Sequence, residues 1–184
     1  MVYTVGVESG RSSARREDVM KKAAIVMGSD SDLQAMRGAM ETLTALEIPY
    51  AVRVLSAHRT PGAAAEFARA AKGEGYGVII AAAGKAAHLA GAMAANTALP
   101  VIGVPMKSST LDGLDALLST VQMPTGMPVA TVAIDGATNA ALLAAQIIAL
   151  TDDALAERFE ACRAAQTERV LEKDARITEE YSRL

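Results

Sequence analysis

The feature that most constrains this chain is a regular alternation of short apolar runs with helical segments. The runs fall at 23–27 (AAIVM), 50–55 (YAVRVL), 77–82 (GVIIAA), 100–104 (PVIGV) and 128–134 (PVATVAI). Between them lie Ala- and Leu-rich segments with helical spacing, at about 31–46, 61–73, 86–97, 109–119 and 137–150. The runs at 77–82 and 100–104 are almost wholly apolar, as strands covered on both faces are. Strands that alternate with helices need crossover connections, and these build a parallel sheet with right-handed units. The pattern therefore predicts a doubly wound α/β fold, a three-layer sandwich around a five-stranded parallel sheet. A further amphipathic, charged helix is expected over about 152–172, packed on its own domain or reaching a neighbouring subunit.

The chain has 184 residues, enough for one domain with a full core. The expected organisation is a flexible N-terminal extension over 1–20, an α/β domain over 21–150 and a C-terminal helical extension over 151–184. Within the first segment, Tyr3 to Val7 has the character of a short strand. Aromatic residues make up only 3% of the chain and Trp is absent, so the core must be Ala, Val, Leu, Ile and Met. Small side chains of this kind let layers approach closely. The net charge is -3, which implies no broad basic surface and argues against a nucleic-acid partner. No run reaches the ~18 apolar residues of a membrane span, and no leader pattern opens the chain. The expectation is a cytoplasmic protein. Its one cysteine, Cys162, cannot form an intrachain disulfide and reads as a small helix residue. Two histidines, one cysteine and no His-Glu-x-x-His spacing argue against a metal site.

In open parallel sheets, ligands bind beyond the carboxyl ends of the strands. The segments just after the runs are accordingly the candidates. The first is Gly28-Ser29-Asp30-Ser31-Asp32. Gly28 permits a sharp turn, backbone amides opening a helix suit a phosphate, and Asp32 can accept from ribose hydroxyls. Helix capping by Ser and Asp is the simpler account of this loop taken alone. It is neither a P-loop nor a three-glycine dinucleotide fingerprint. The second is Ser56-Ala57-His58-Arg59-Thr60-Pro61. Arg59 can form charge-assisted bonds to phosphate, Thr60 and Pro61 suit a helix start, and histidine titrates near ~6.5. The third, Ala83 to Gly91, holds Gly84, Lys85 and His88 among small residues. His88 reads either as a site residue or as a buried, hydrogen-bonded core histidine. Pro105 to Ser109 is placed to close one side of the cleft, and Val121 to Pro128 forms a rigid turn. An anion-binding loop, an arginine and two histidines suit proton transfer on a small phosphorylated substrate.

The segments IVMGSDSD (25–32), LSAHRTP (55–61), GKAAHLAG (84–91), IGVPMKSS (102–109), VQMPTGMPVATVAI (121–134) and NAALLAAQI (139–147) resemble the PurE family, the N5-carboxyaminoimidazole ribonucleotide mutases. The resemblance runs from about residue 23 to 150, with the motifs in order and at about the right spacing. It implies a flavodoxin-like domain, a homo-octamer, and movement of a carboxylate from the exocyclic nitrogen to ring carbon C4 of an aminoimidazole ribonucleotide. It implies no ATP, metal or biotin. By motif, Ser29, Asp32, Ser56 and Arg59 would bind ribose phosphate, with the Gly28 backbone beside them. His58 would shuttle the proton, while Gly84, Lys85 and His88 would surround the imidazole and trapped CO2. The third loop departs from the family pattern: Ala82 and Lys85 stand where glycine is expected, and Ala90 where proline is expected. The segment Asp135-Gly136-Ala137-Thr138 is shorter than usual. Arg59 favours the mutase branch over the branch that carboxylates the uncarboxylated nucleotide directly with CO2. That second branch and a divergent, non-catalytic nucleotide-binding relative remain the alternatives. A flavin carrier fits poorly in a chain with two Phe, four Tyr and no Trp.

Overall fold

The computed structural model describes residues 21–182 apart from Thr110. The expected flexible extension over 1–20, with its short strand at 3–7, lies outside the described residues. Five strands, β1 (Lys22–Met27), β2 (Tyr50–Val54), β3 (Tyr76–Gly84), β4 (Val101–Met106) and β5 (Ala130–Thr131), form one sheet in the order β2-β1-β3-β4-β5. Every pairing is parallel. This is the flavodoxin-like order, and its switch point lies between β1 and β3. The helices are α1 (Leu33–Ala45), α2 (Pro61–Ala71), α3 (Leu89–Ala94), α4 (Leu114–Val121), α5 (Ala137–Ala149) and α6 (Asp153–Tyr181).

Period-two alternation along the strands separates two cores. Ala23, Ile25 and Met27 of β1 and Val78 and Ile80 of β3 point to one face, where Met36 and Leu43 of α1 and the alanines of α5 cover them. Ala24, Val26 and Ile79 point to the other, against Phe67 of α2 and Met93 of α3. Small residues set the close approach of α1 and α5. A Cβ on Gly38 would lie 2.7 Å from the Thr138 hydroxyl.

Four boundaries differ from the sequence expectation. Helix α3 spans 89–94 rather than 86–97, because 85–88 turn tightly through Ala87 N–H to Lys85 C=O and His88 N–H to Ala86 C=O bonds, each 2.8 Å. Helix α4 starts at Leu114 rather than 109, because Leu111, Asp112 and Gly113 all have positive φ. Strand β5 is two residues rather than the run 128–134, since only Ala130 and Thr131 pair with β4. Helix α6 continues to Tyr181 instead of ending near 172. It contains neither Gly nor Pro, and Asp152 caps it by accepting from Leu155 N–H at 2.9 Å. Its first turns pack on the core through Leu155, Phe159 and Cys162, and the remainder is exposed. Among the described residues no helix is long and apolar enough to cross a membrane.

Candidate active site

The first two loops are tied down by short hydrogen bonds. After β1, the Ser29 backbone is extended, and its hydroxyl accepts from Ser31 N–H at 3.3 Å and donates to Asp30 at 3.2 Å. The capping expected of Ser29 is thus real, and it opens a single 3-10 turn before α1. Asp32 occupies the α1 cap position but makes no side-chain cap bond. Its carboxylate accepts instead from the Ser31 hydroxyl at 3.3 Å. Burial pushes the Asp32 carboxyl above its ordinary value, partly offset by hydrogen bonds from Ser31 and the Ser29 backbone, with Asp135 and Asp30 adding repulsion. Gly28 does not adopt a positive φ, and a Cβ there would meet Ala83 at an ordinary 3.7 Å. The chain bends at Gly28 without the left-handed conformation that would require glycine.

After β2, Ser56 closes a compact turn. Its hydroxyl accepts from Arg59 N–H at 3.1 Å, and its own N–H donates to the Thr60 hydroxyl at 2.9 Å. That hydroxyl donates back to Ser56 C=O at 3.1 Å. Thr60 therefore braces the loop rather than capping α2, where it makes no side-chain cap bond, and Pro61 opens the helix. The Arg59 guanidinium donates to Gly28 C=O at 2.9 Å, joining the second loop to the first. Arg59 and Ser29 therefore lie on the same side of the sheet.

The third loop is built differently. Lys85 sits at φ 55, a left-handed conformation that costs an L-residue ~1–2 kcal/mol. His88 is exposed, which removes its reading as a buried core residue. Its ring lies 6.3 Å from that of His58 between centroids, with planes inclined by 20°. Gly91 keeps the floor open beneath this ring: a Cβ there would lie 3.4 Å from His88 Cε1 and 3.2 Å from Met123 Sδ.

All nine residues singled out in the sequence, Gly28, Ser29, Asp32, Ser56, His58, Arg59, Gly84, Lys85 and His88, line one cavity of about 700 Å³. It opens at the carboxyl ends of β1 and β3, the switch point of the sheet. Met106, Lys107 and Ser108 also line it. Sequence reading gave that segment only a closing role; its position just after β4 was the available signal. Lys107 N–H donates to Asp135 Oδ1 at 2.8 Å, and its ammonium lies 3.3 Å from Asp112. Arg59, Lys85 and Lys107 outnumber Asp32 around the cavity, which suits a substrate with more than one negative charge. No cluster of three or more His, Cys, Asp or Glu able to hold a metal ion occurs among the described residues.

Fold and cleft together define a doubly wound α/β protein with two imidazoles facing a cationic cavity. The AIR carboxylase family model matches residues 22–169. The chain is 57% identical over 152 residues to the N5-carboxyaminoimidazole ribonucleotide mutase of Brucella melitensis, covering 82% of this chain and 94% of that one. It is 54% identical over 153 residues to the enzyme of the same name from Escherichia coli K12, covering 82% and 90%. The structure superimposes on the crystal structure of Treponema denticola PurE with a TM-score of 0.76 at 28% identity, covering 85% of this chain and 98% of that one. The chain belongs to the AIR carboxylase, or PurE, family.

Proposed function

We propose that this chain is an N5-carboxyaminoimidazole ribonucleotide mutase, converting that substrate to 4-carboxy-5-aminoimidazole ribonucleotide. The observation that carries the reading is the convergence of all nine motif residues on one cavity in a chain more than half identical to named mutases. Ser29, Asp32, Ser56 and Arg59 hold the ribose phosphate, with the amides that open the 3-10 turn beside the anion. The imidazole ring occupies the space between His58 and the 83–88 loop.

Protonated His58 gives its proton to the exocyclic nitrogen as the bond from nitrogen to the carboxyl carbon breaks. The bonding pair stays on nitrogen and CO2 is released into the cleft. Ring carbon C4 then uses its enamine electron pair to bond to CO2, and neutral His58 removes the C4 proton, restoring the aromatic ring. One imidazole gives and regains one proton, so the cycle needs no external acid or base. His88 bounds the space in which CO2 is kept.

The proposal includes a homo-octamer working in the cytoplasm, with residues 21–150 as the reacting unit and the helix beyond 150 as an appendage. Incubation with N5-carboxyaminoimidazole ribonucleotide, followed by direct detection of the C4-carboxylated product, tests the activity. Absence of product refutes it. Light scattering should give about eight times the 19.0 kDa chain mass, and a stable monomer refutes the assembly.

A further inference from the structure

The mutase reading assigns the phosphate to the β1 and β2 loops and the imidazole ring to the space beside the 83–88 loop, and leaves the substrate carboxylate without a charged partner. That lip carries two lysines. Gly84 of β3 and Met106 of β4 are register partners, so Lys85 and Lys107 leave adjacent parallel strands at the same level. Neighbouring strands lie ~4.8 Å apart, which puts both side chains within reach of one small anion. Both line the cavity.

The backbone holds them there at a cost. Lys85 is fixed at φ 55, where glycine is at ease and lysine is not. Strain of this kind persists only where the surroundings enforce it, and it gathers at ligand sites. Among the described residues the Lys85 ammonium has no ion-pair partner. The Lys107 backbone is pinned by Asp135, whose own φ is 54. Its ammonium is 3.3 Å from Asp112, but the two side chains are 60% and 84% exposed. Exposed pairs of this kind are weak, and an anion entering the cleft displaces Asp112 readily.

We propose that Lys85 and Lys107 form a two-cation clamp for the migrating carboxylate, and that this clamp sets the preference for aminoimidazole ribonucleotides that carry this carboxylate over those that lack it. The inference rests on the mutase reading. Substrate and product carry the carboxylate on the exocyclic nitrogen and on C4, both bonded to ring carbon C5, so one clamp serves both. CO2 between them is neutral and gains nothing from it. The clamp therefore strengthens ground-state binding and lowers KM without raising kcat.

The test measures dissociation constants for the C4-carboxylated product and for the corresponding 4-carboxamide ribonucleotide. The two share phosphate, ribose and ring and differ in the charge. The wild type is compared with Lys85→Gly, Lys107→Gln, the double variant and Lys85→Arg. Loss of one charge-assisted hydrogen bond should weaken carboxylate binding about tenfold in each single variant. Carboxamide binding should stay constant, and Lys85→Arg should keep most of the preference. KM for the mutase substrate should rise in parallel with kcat unchanged or higher. Equal weakening of both ligands would assign the lysines to the phosphate and overturn the clamp, as would an unchanged preference in the double variant. Glycine suits the Lys85 backbone, so that variant is expected to fold. In the wild type the preference should also shrink as salt rises, and a salt-independent preference would overturn the clamp without any variant. Binding is read without turnover, so failure of the clamp and failure of the mutase reading are separate results.

Discussion

The two halves of the cleft are made by the same topology and stand in opposite conformational states. On the β1–β2 side, none of the residues from Gly28 to Asp32 or from Ser56 to Pro61 has a positive φ, and Ser29, Ser31, Ser56, Thr60 and Arg59 are cross-tied by hydrogen bonds. On the β3–β4 side, Lys85, Leu111, Asp112, Gly113 and Asp135 all have positive φ, and Lys107 is held by two of these aspartates. The first half is relaxed and organised in advance, which suits the fixed phosphate site proposed there. The second stores backbone strain beside the place proposed for the migrating carboxylate. Lys85 and Asp135, both in segments where the resemblance led us to expect a departure from the family pattern, have positive φ and belong to the strained half.

This contrast can be broken from either side. The largest effect is expected from His58→Asn, at the boundary of the halves. It keeps a polar group of similar size and removes the titratable one, so kcat should fall by ~10²–10⁴-fold while nucleotide binding stays nearly intact. Near-normal turnover in a rapid product assay would return the shuttle role to His88 or Lys85. Arg59→Ala strikes the relaxed half twice, removing the phosphate cation and the 2.9 Å tie to Gly28. Kd should rise by ~10–100-fold, the value of a charge-assisted hydrogen bond. A calorimetric Kd within a factor of ~2 of wild type would show that the backbone amides alone hold the anion.

The strained half responds in the other direction. Lys85→Gly relieves a left-handed lysine and frees the unfolded chain slightly, so the net gain in unfolding free energy should be ~1 kcal/mol by urea titration. A loss of stability would mean that the φ of 55 is not strained in its setting. The smallest effect is a pH dependence at Asp32. Folding raises its pKa above 3.8, chiefly by burial, so the ionised carboxylate opposes folding. The contribution of Asp32 is fully favourable below 3.8 and is lost as pH rises through the folded-state value. Asp32→Asn should therefore be the more stable protein at neutral pH, and the difference should shrink as pH falls towards 3.8. A difference that grows on acidification would mean that the carboxylate is stabilised by its serine partners more than it is penalised by burial.

Much of this was readable in the chain. The positions of β1, β3 and β4 follow from apolar runs bounded by Gly, Ser and Pro, because a buried parallel strand has no polar face to interrupt it, while the edge strand β2 is only partly covered and carries Arg53. The candidate site was readable for the same topological reason: a parallel sheet gathers every post-strand loop at one end, so residues from 28 to 88 meet in one cavity. Strand β5 was overestimated because apolar content continues past the point where pairing with β4 stops. Helices α3 and α4 were overestimated because Ala, Leu and Ser favour a helix in both segments; the turn at 85–88 is closed by its own short backbone hydrogen bonds, whereas the positive φ values at 111–113 are packed against residues distant in sequence. A Cβ on Gly113, for example, would come within 2.8 Å of Ile134 and 3.1 Å of the Lys107 backbone.

The sequence by itself thus determined the strand–helix alternation, the parallel sheet, the family and the roster of loop residues, because these depend on local periodicity and on motif identity. Only the tertiary structure decided that Thr60 braces Ser56 instead of capping α2, that Gly28 serves through its carbonyl, that His88 is exposed 6.3 Å from His58, and that Lys85 and Lys107 emerge side by side. The physical reason is one of range. Propensity and pattern act over a few residues, whereas the aim of a side chain and the sign of a φ are settled by whichever backbone from elsewhere in the chain is packed against it.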